Sequence, residues 1–409
     1  MILIVAVTGF CFSSSVRAGG DWALTNSQFQ TRQIKLQGIS AQGLLVAQDG
    51  EGSIIGWDDV LDLTAQWTQS VAAAGKFNLY LSGGDHLSGE PVNVADEKLE
   101  WTSPSLGDIQ IPLSRLVGIS TAGAAPDGLD ESRTDDLVRL ANGDSVHGIV
   151  TQIGASGVTL QAGDATPTLG WETMKAVLFS TAPQPLGSNR RMFRVRFAGD
   201  AAISAVNITL SGDKLTLNLD DKTARQVSVS SVIAIEQLNG PVSWLTARSP
   251  SENIYKPMFS ENFPTRFDRT VGDGQPIREK FPAFHHGIGC HSYSKLVYDL
   301  NGNGPGGGTG YAGFRTQFAI DSDSPLADVT VRILLDDKVT VEQKNVKAGM
   351  IYPVVIVGLG AAKQLALEVD YGKNYATEDR FVWLDPALIR TVALSDLRNV
   401  PPTTAPSSN

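Results

Sequence analysis

Four apolar residues, Trp57, Leu113, Trp171 and Val229, recur fifty-six, fifty-eight and fifty-eight positions apart. Each opens a triplet with apolar positions three apart: Trp57/Val60/Leu63, Leu113/Leu116/Ile119, Trp171/Met174/Val177 and Val229/Val232/Ile235. A near-constant period of this kind marks copies of one supersecondary unit, so the region 19–240 is expected to hold about four units. Within the units, apolar segments run into Gly-Asp pairs, as at Gly84-Asp85, Gly143-Asp144 and Gly199-Asp200. Such pairs suit positions that need positive φ or an Asx turn. Leu215-Thr-Leu-Asn-Leu219 and Gly157-Val-Thr-Leu160 alternate with period two, as strands do. Each unit is therefore predicted to be a small curved sheet of four or five strands, patterned like SH3-like or Sm-like barrels. Sm-like proteins often bind RNA, but no basic aromatic patch here supports that. The expected role of 19–240 is a scaffold or a contact surface for a protein partner.

The region after 310 is also β-rich. Phe314 to Ile320, Val329 to Leu335, Val339 to Gln343, Met350 to Val357 and Gln364 to Val369 are short, rich in β-branched residues and divided by turn residues. No comparable stretch has a helical period. The fold class predicted is all-β: tandem small barrel-like or sheet units followed by a C-terminal antiparallel β-sandwich. The segment 241–282 carries six prolines, yet Trp244, Phe259, Phe263 and Phe267 interrupt it. A packed, extended lead-in fits this better than a free linker.

Composition narrows the function. The 409 residues exceed one ordinary core, and 33 basic against 43 acidic residues give a net charge of −10. That balance disfavours nucleic acid and anionic lipid as partners. The apolar run from Ile2 to Phe12, followed by Val16 and Ala18 at a small-residue cleavage pattern, reads as a secretory signal peptide over 1–18. It is too short for a permanent anchor, and no later segment offers a stable membrane span. Of the two cysteines, Cys11 leaves with this segment, so Cys290 is expected to be a small buried core residue. The tail 397–409 is expected to be disordered, and Asn301 to Gly310 is a glycine-rich loop without the Lys-Ser/Thr ending of a P-loop.

Five short pieces then stand in order: Phe267-Asp-Arg-Thr-Val-Gly-Asp-Gly, Gly287-Ile-Gly-Cys-His-Ser, Ser294-Lys-Leu-Val-Tyr-Asp-Leu, Phe318-Ala-Ile-Asp-Ser-Asp and Val382-Trp-Leu-Asp385. Together they resemble the NPCBM family, carbohydrate-binding modules associated with glycoside hydrolases, over about 241–396. The resemblance implies a jelly-roll sandwich that binds glycans or polysaccharides, often of galactose type, with calcium in some members. This chain departs from the family pattern at Cys290-His291-Ser292, at Asp336-Asp337-Lys338 and in the long glycine-rich loop, so the sugar is not transferred with the fold.

Seven of eight tyrosines lie after residue 250, and tyrosine joins a stacking face to a polar tip. Tyr298 and Trp383 are expected in the core, with Val297 inside beside Tyr298. Tyr293, Tyr311 and Tyr371, which flank loops, are the stacking candidates, with His291 and Asp321 as polar partners. The glycine pair at Gly287 and Gly289 is expected to let the backbone turn. No cofactor is required by any motif. Calcium is the one candidate ion, with Asp321, Asp323 and Asp385 as hard oxygen donors. His285, His286 and His291 fit no zinc signature. No Ser/His/Asp arrangement, His-Glu-x-x-His motif or Gly-x-Ser-x-Gly elbow is present, and most acidic residues sit in turns. The reading is a secreted, non-catalytic glycan binder. The alternatives are an adhesion or structural protein without sugar binding and, ranked last, a glycosidase of unrecognised fold.

Overall fold

Each of the four periodic anchors begins a single turn of 3-10 helix between two strands: Trp57–Asp59, Leu113–Arg115, Trp171–Thr173 and Val229–Ser231. This is seen in a computed structural model that describes residues 21–48, 51–66, 75–123, 125–126, 128–129, 133–180, 191–199, 201–220, 222–258, 262–300 and 311–390. The apolar N-terminal run with Cys11, the loop 301–310 and the tail 397–409 lie outside the described residues.

The strands before residue 240 fall into four successive groups. In each, the first strand (Asp21–Thr25, Phe77–Leu81, Asp136–Leu140, Met192–Phe197) pairs antiparallel with both the second and the last strand of its own group. The second strands Thr31–Ser40, His86–Ala95 and Ser145–Gly154 are long, and each carries a register shift part-way along. A bulge bends a strand, so one half can pair with the first strand and the other half with the third. In the fourth group the bend has become a break, between Ala201–Ala205 and Asn207–Ser211.

Two anchor tryptophans make the same bond. Trp57 Nε1 donates to the Ser40 carbonyl at 3.1 Å, and Trp171 Nε1 donates to that of Gly154 at 2.9 Å. Each ties the 3-10 turn to the end of its own second strand and satisfies an indole N–H that burial would otherwise strand. The last residues of the triplets pair across groups. Leu63 faces Ile235, joining the first group to the fourth, and Ile119 faces Val177, joining the second to the third. All four are at most 2% exposed. One apolar cluster runs through the whole region, so the groups share a core rather than standing as separate beads. The glycine of each Gly-Asp pair has positive φ, +82° at Gly84, +97° at Gly143 and +94° at Gly199. Asp85 is nevertheless no surface turn residue. It is buried, accepts from Ser204 Oγ at 2.7 Å and pairs with Arg115 at 2.8 Å.

The C-terminal part is a two-sheet sandwich, and its helical pieces among the described residues are the 3-10 turn Leu245–Ala247 and the one-turn helix Ile277–Lys280. One sheet runs Arg266–Phe267, Gly287–Cys290, Phe381–Ile389, Gly313–Ile320, Val355–Gly358, with Val242–Trp244 also paired to Phe381–Ile389. The other runs Glu252–Tyr255, Ser294–Asp299, Gln364–Tyr371, Val329–Leu335, Lys338–Val346. Leu365, Leu367 and Val369 face the core with Tyr298, Phe318 and Trp383, while Glu368 and Asp370 face out.

Three local expectations need correction. The stretch Met350 to Val357 is strand only from Val355, because Pro353 cannot donate to a ladder, and Met350 and Ile351 are exposed. Val297 does not share the core with its neighbour Tyr298. The two point to opposite faces, and Val297 packs in a small outer cluster with Leu334 and Ala366. The glycines at 287 and 289 lie inside a buried strand and do not turn it. They permit close approach: a Cβ at Gly289 would lie 2.4 Å from the Arg269 carbonyl oxygen. A Cβ at Gly287 would lie 2.9 Å from both Ile277 and the Trp383 carbonyl oxygen.

Candidate carbohydrate-binding end of the sandwich

Strand register decides which sequence candidates meet. Ile320 and Cys290 both pair with Phe381, Ser294 pairs with Val369, and Val329 pairs with Tyr371. The segments 291–293, 321–328 and 372–380 therefore emerge at one end of the sandwich, bringing together His291, Tyr293, Asp321 and Tyr371. Tyr311 is at the opposite end, beside the Gly313–Ile389 pairing, where it packs on the core under Arg390. It is not part of the same site.

The tyrosines at this end are linked by a lysine. Tyr371 Oη donates to the Lys256 carbonyl at 2.7 Å, and the Lys256 ammonium lies 5.7 Å from the Tyr293 ring centre. Tyr293 Oη donates to Glu368 at 3.0 Å. Burial and Glu368 push the Tyr293 phenol up to about 12, so it stays a donor at physiological pH. Glu368 and Asp370 are joined by Arg332, at 2.6 and 2.8 Å, and Arg332 also reaches Glu342 at 2.8 Å. The result is a half-buried strip of fixed donors and acceptors beside two aromatic rings, the combination that sugar hydroxyls and C–H faces require.

His291 is a framework residue. It is buried, its ring stacks on Phe263 at 4.7 Å, and its Nδ1 lies 3.0 Å from the Ser292 carbonyl. Cys290 beside it is 1% exposed, and burial pushes its thiol up to about 12. Beneath the loops, the buried Asp379 accepts from Ser292 Oγ and from the Asp328 amide, at 3.3 Å for the latter. Burial pushes its carboxyl up to about 6.

The most open aromatic at this end went unselected by sequence reasoning. Tyr375 is 64% exposed at φ +56°, on a turn closed by a Gly372–Tyr375 bridge. Asn374 Nδ2 donates to the Leu326 carbonyl at 2.8 Å, and Leu326 is itself 55% exposed. An exposed ring on a loop end is available to stack on the C–H face of a sugar. Sequence showed Tyr375 only as one of the seven tyrosines after residue 250, because exposure is a property of the assembled loops.

The three aspartates read as calcium donors part ways. Asp385 sits at a bulge with φ +44° and is committed elsewhere: its Oδ1 accepts from the His285 and His286 amides, each at 2.9 Å. Asp321 and Asp323 remain together and are joined by Asp273.

The clustered histidines form the junction with the N-terminal region. His285 Nε2 lies 2.8 Å from Asp62, and its other nitrogen faces Asp385 at 3.8 Å. Burial works against the imidazolium, but the bonds to Asp385 and Asp62 outweigh it and hold the His285 pKa up to about 10. His286 is fully buried between Glu236 and Asp268, with Asp268 at 2.8 Å. Burial again opposes its charge, and the two carboxylates raise its pKa. Trp244 packs on His286 at 4.8 Å and belongs to an apolar cluster that joins Leu61, Met192 and Leu238 to Ala387 and Ile389. This junction could not be read from the sequence, because the partner carboxylates lie on strands far away along the chain.

Residues 242–389 match the family model of the NPCBM/NEW2 domain, which makes the C-terminal sandwich an NPCBM domain. Among solved structures, the chain is similar to the CBM51 module of a Clostridium perfringens GH95 protein in complex with methyl-galactose. Identity is 18%, the TM-score 0.29, and coverage 36% of this chain and 99% of that one. It is also similar to the CBM51-2 and INT domains of Clostridium perfringens ZmpB, in a complex with GlcNAc. There identity is 16%, the TM-score 0.30, and coverage 46% of this chain and 43% of that one. No curated protein matches. Among the described residues, no helix is long and apolar enough to cross a membrane.

Proposed function

We propose that this protein is a secreted, non-catalytic glycan binder whose ligand contacts the loop end of the NPCBM domain. The observation that carries the reading is the match of residues 242–389 to the NPCBM/NEW2 domain, which spans the sandwich from its first strand to its last. The open ring of Tyr375 and the fixed polar strip around Tyr293, Glu368 and Arg332 supply what such a ligand needs. The four strand groups are read as copies of one unit, serving as a scaffold or as a contact surface for a protein partner. Their shared triplets, 3-10 turns and cross-group pairings support the repeat and the scaffold. Galactose-type sugars, which the family often binds, are the first class to test, while the loop departures keep the sugar from being transferred with the fold.

A glycan array with the full chain tests the proposal. Binding of at least one glycan class at millimolar affinity or better is expected. No binding at that level overturns it and leaves the adhesion reading. Turnover of a glycoside that a single carboxylate substitution abolishes overturns the non-catalytic part.

A further inference from the structure

The loop end contains a site shaped for a cation, and the chain fills it with one of its own. Asp273, Asp321 and Asp323 each offer a carboxylate oxygen within 4.8 Å of the others, a spacing compatible with calcium coordination. The Lys280 ammonium stands among them, 3.0 Å from Asp321, 2.9 Å from Asp323 and 3.5 Å from Asp273. An ammonium has three N–H donors, and three carboxylates surround this one. A calcium ion sharing the same oxygens would have to sit about 2.3–2.6 Å from them, in the space the ammonium holds, and against its charge. The residues therefore do not fit a resident calcium ion.

We infer that Lys280 is a built-in replacement for a divalent cation, fastening three segments of the loop end so that its order is independent of calcium. The three segments are the turn that carries Asp273, the short helix Ile277–Lys280, and the loop that follows Gly313–Ile320. Each is secured independently of the lysine. Asp273 accepts from Thr270 Oγ1 and from the Gln275 amide. Ile277, on the same helical turn as Lys280, is buried with Phe284, Ala319, Val382 and Leu384. The Asp321 amide donates to the Arg380 carbonyl at 2.9 Å. The ammonium is thus delivered from a packed turn to a preformed acidic recess. Its side chain is only 16% exposed, and hydrogen bonding to Asp323 and Asp321 raises its pKa despite burial.

The test reads metal and stability, so its failure is distinguishable from failure of the glycan proposal. Melting of the full chain is followed with a chelator and with calcium chloride, and calcium binding by titration calorimetry. Wild type is expected to show no calcium-dependent shift in Tm and no calcium heat. Lys280→Met is expected to melt lower, and to regain Tm with calcium at a Kd of about 10⁻⁴–10⁻³ M, the range of weak extracellular sites. Adding Asp321→Asn to that variant should abolish the recovery. A wild-type Tm that rises with calcium overturns the inference. So does a Lys280→Met protein as stable as wild type, or one that is destabilised yet indifferent to calcium. Should Lys280→Met fail to fold, Lys280→Arg, which keeps the charge, is expected to fold and ignore calcium; a calcium response from it also overturns the inference.

Discussion

Asp62 and Glu236 face each other across an antiparallel strand pair, and each carboxylate reaches a different, adjacent histidine of the sandwich, Asp62 to His285 and Glu236 to His286. The last strand of the first group and the last strand of the fourth are thereby clamped to one dipeptide. Arg194, opposite Glu236 on the next strand, extends the row toward Asp85 of the second group at 3.7 Å. A line of buried charges so connects three strand groups and the NPCBM domain.

Breaking one member of a buried ion pair leaves an uncompensated charge, which costs about 3–5 kcal/mol. His286→Ala is expected to destabilise the whole chain by that order in urea unfolding followed by tryptophan fluorescence. A loss below about 1 kcal/mol, the worth of an exposed pair, would show that the junction is solvated.

The junction also sets a pH optimum. His285 has its pKa raised to about 10, so its contribution is complete below the unfolded value near 6.5 and disappears as pH rises from there toward 10. Glu236 and Asp268 are held below the usual carboxylate range: burial opposes their charge, but His286 outweighs it. Their contribution is complete above about pH 4.5 and is lost as pH falls further. The difference in Tm between wild type and His285→Gln should therefore shrink steadily from pH 6.5 to 10. A constant difference over that range refutes the assignment.

Asp379 acts in the opposite sense to Glu236 and Asp268. Its pKa is raised to about 6, so the folded state holds a proton that the unfolded chain releases near pH 4. Stability from this group falls as pH rises from 4 to 6, by about 2–3 kcal/mol, and is flat above. Asp379→Asn keeps an acceptor for Ser292 without ionising. Its unfolding free energy should lack that slope, and a slope identical to wild type rules the effect out.

Tyr375→Ala should weaken glycan binding roughly fivefold, the equivalent of about 1 kcal/mol of ring contact, with Tm unchanged because the ring is exposed. Tyr311→Ala, at the other end, should leave affinity as it is. Equal losses from both variants in titration calorimetry would displace the site from this end.

Gly289→Ala places a methyl group 2.4 Å from the Arg269 carbonyl oxygen, closer than any real Cβ contact, so backbone must move. An overpacking cost of about 1–3 kcal/mol is expected in chemical denaturation. A neutral substitution would show that the segment 266–271 yields freely.

The all-β class, the four apolar triplets and the C-terminal domain were legible in the sequence because each is written locally. Alternation with period two sets which side chains face a core, and the triplet spacing marks a recurring unit without reference to any distant residue, although only the structure showed that each triplet opens with a 3-10 turn. The sequence also put Tyr298, Trp383 and Cys290 in the interior, where all three lie. The site was not legible in the same way. Register separated Tyr311 from Tyr293 and Tyr371, a bulge sent Asp385 to the histidine amides, and packing brought Lys280 to the aspartates that had read as calcium donors. Two histidines that fit no motif became the junction because Asp62 and Glu236 arrived from strands paired late along the chain. Local pattern decides which face of a strand is buried; which charges then meet depends on how whole sheets are set against one another, and only the tertiary structure holds that.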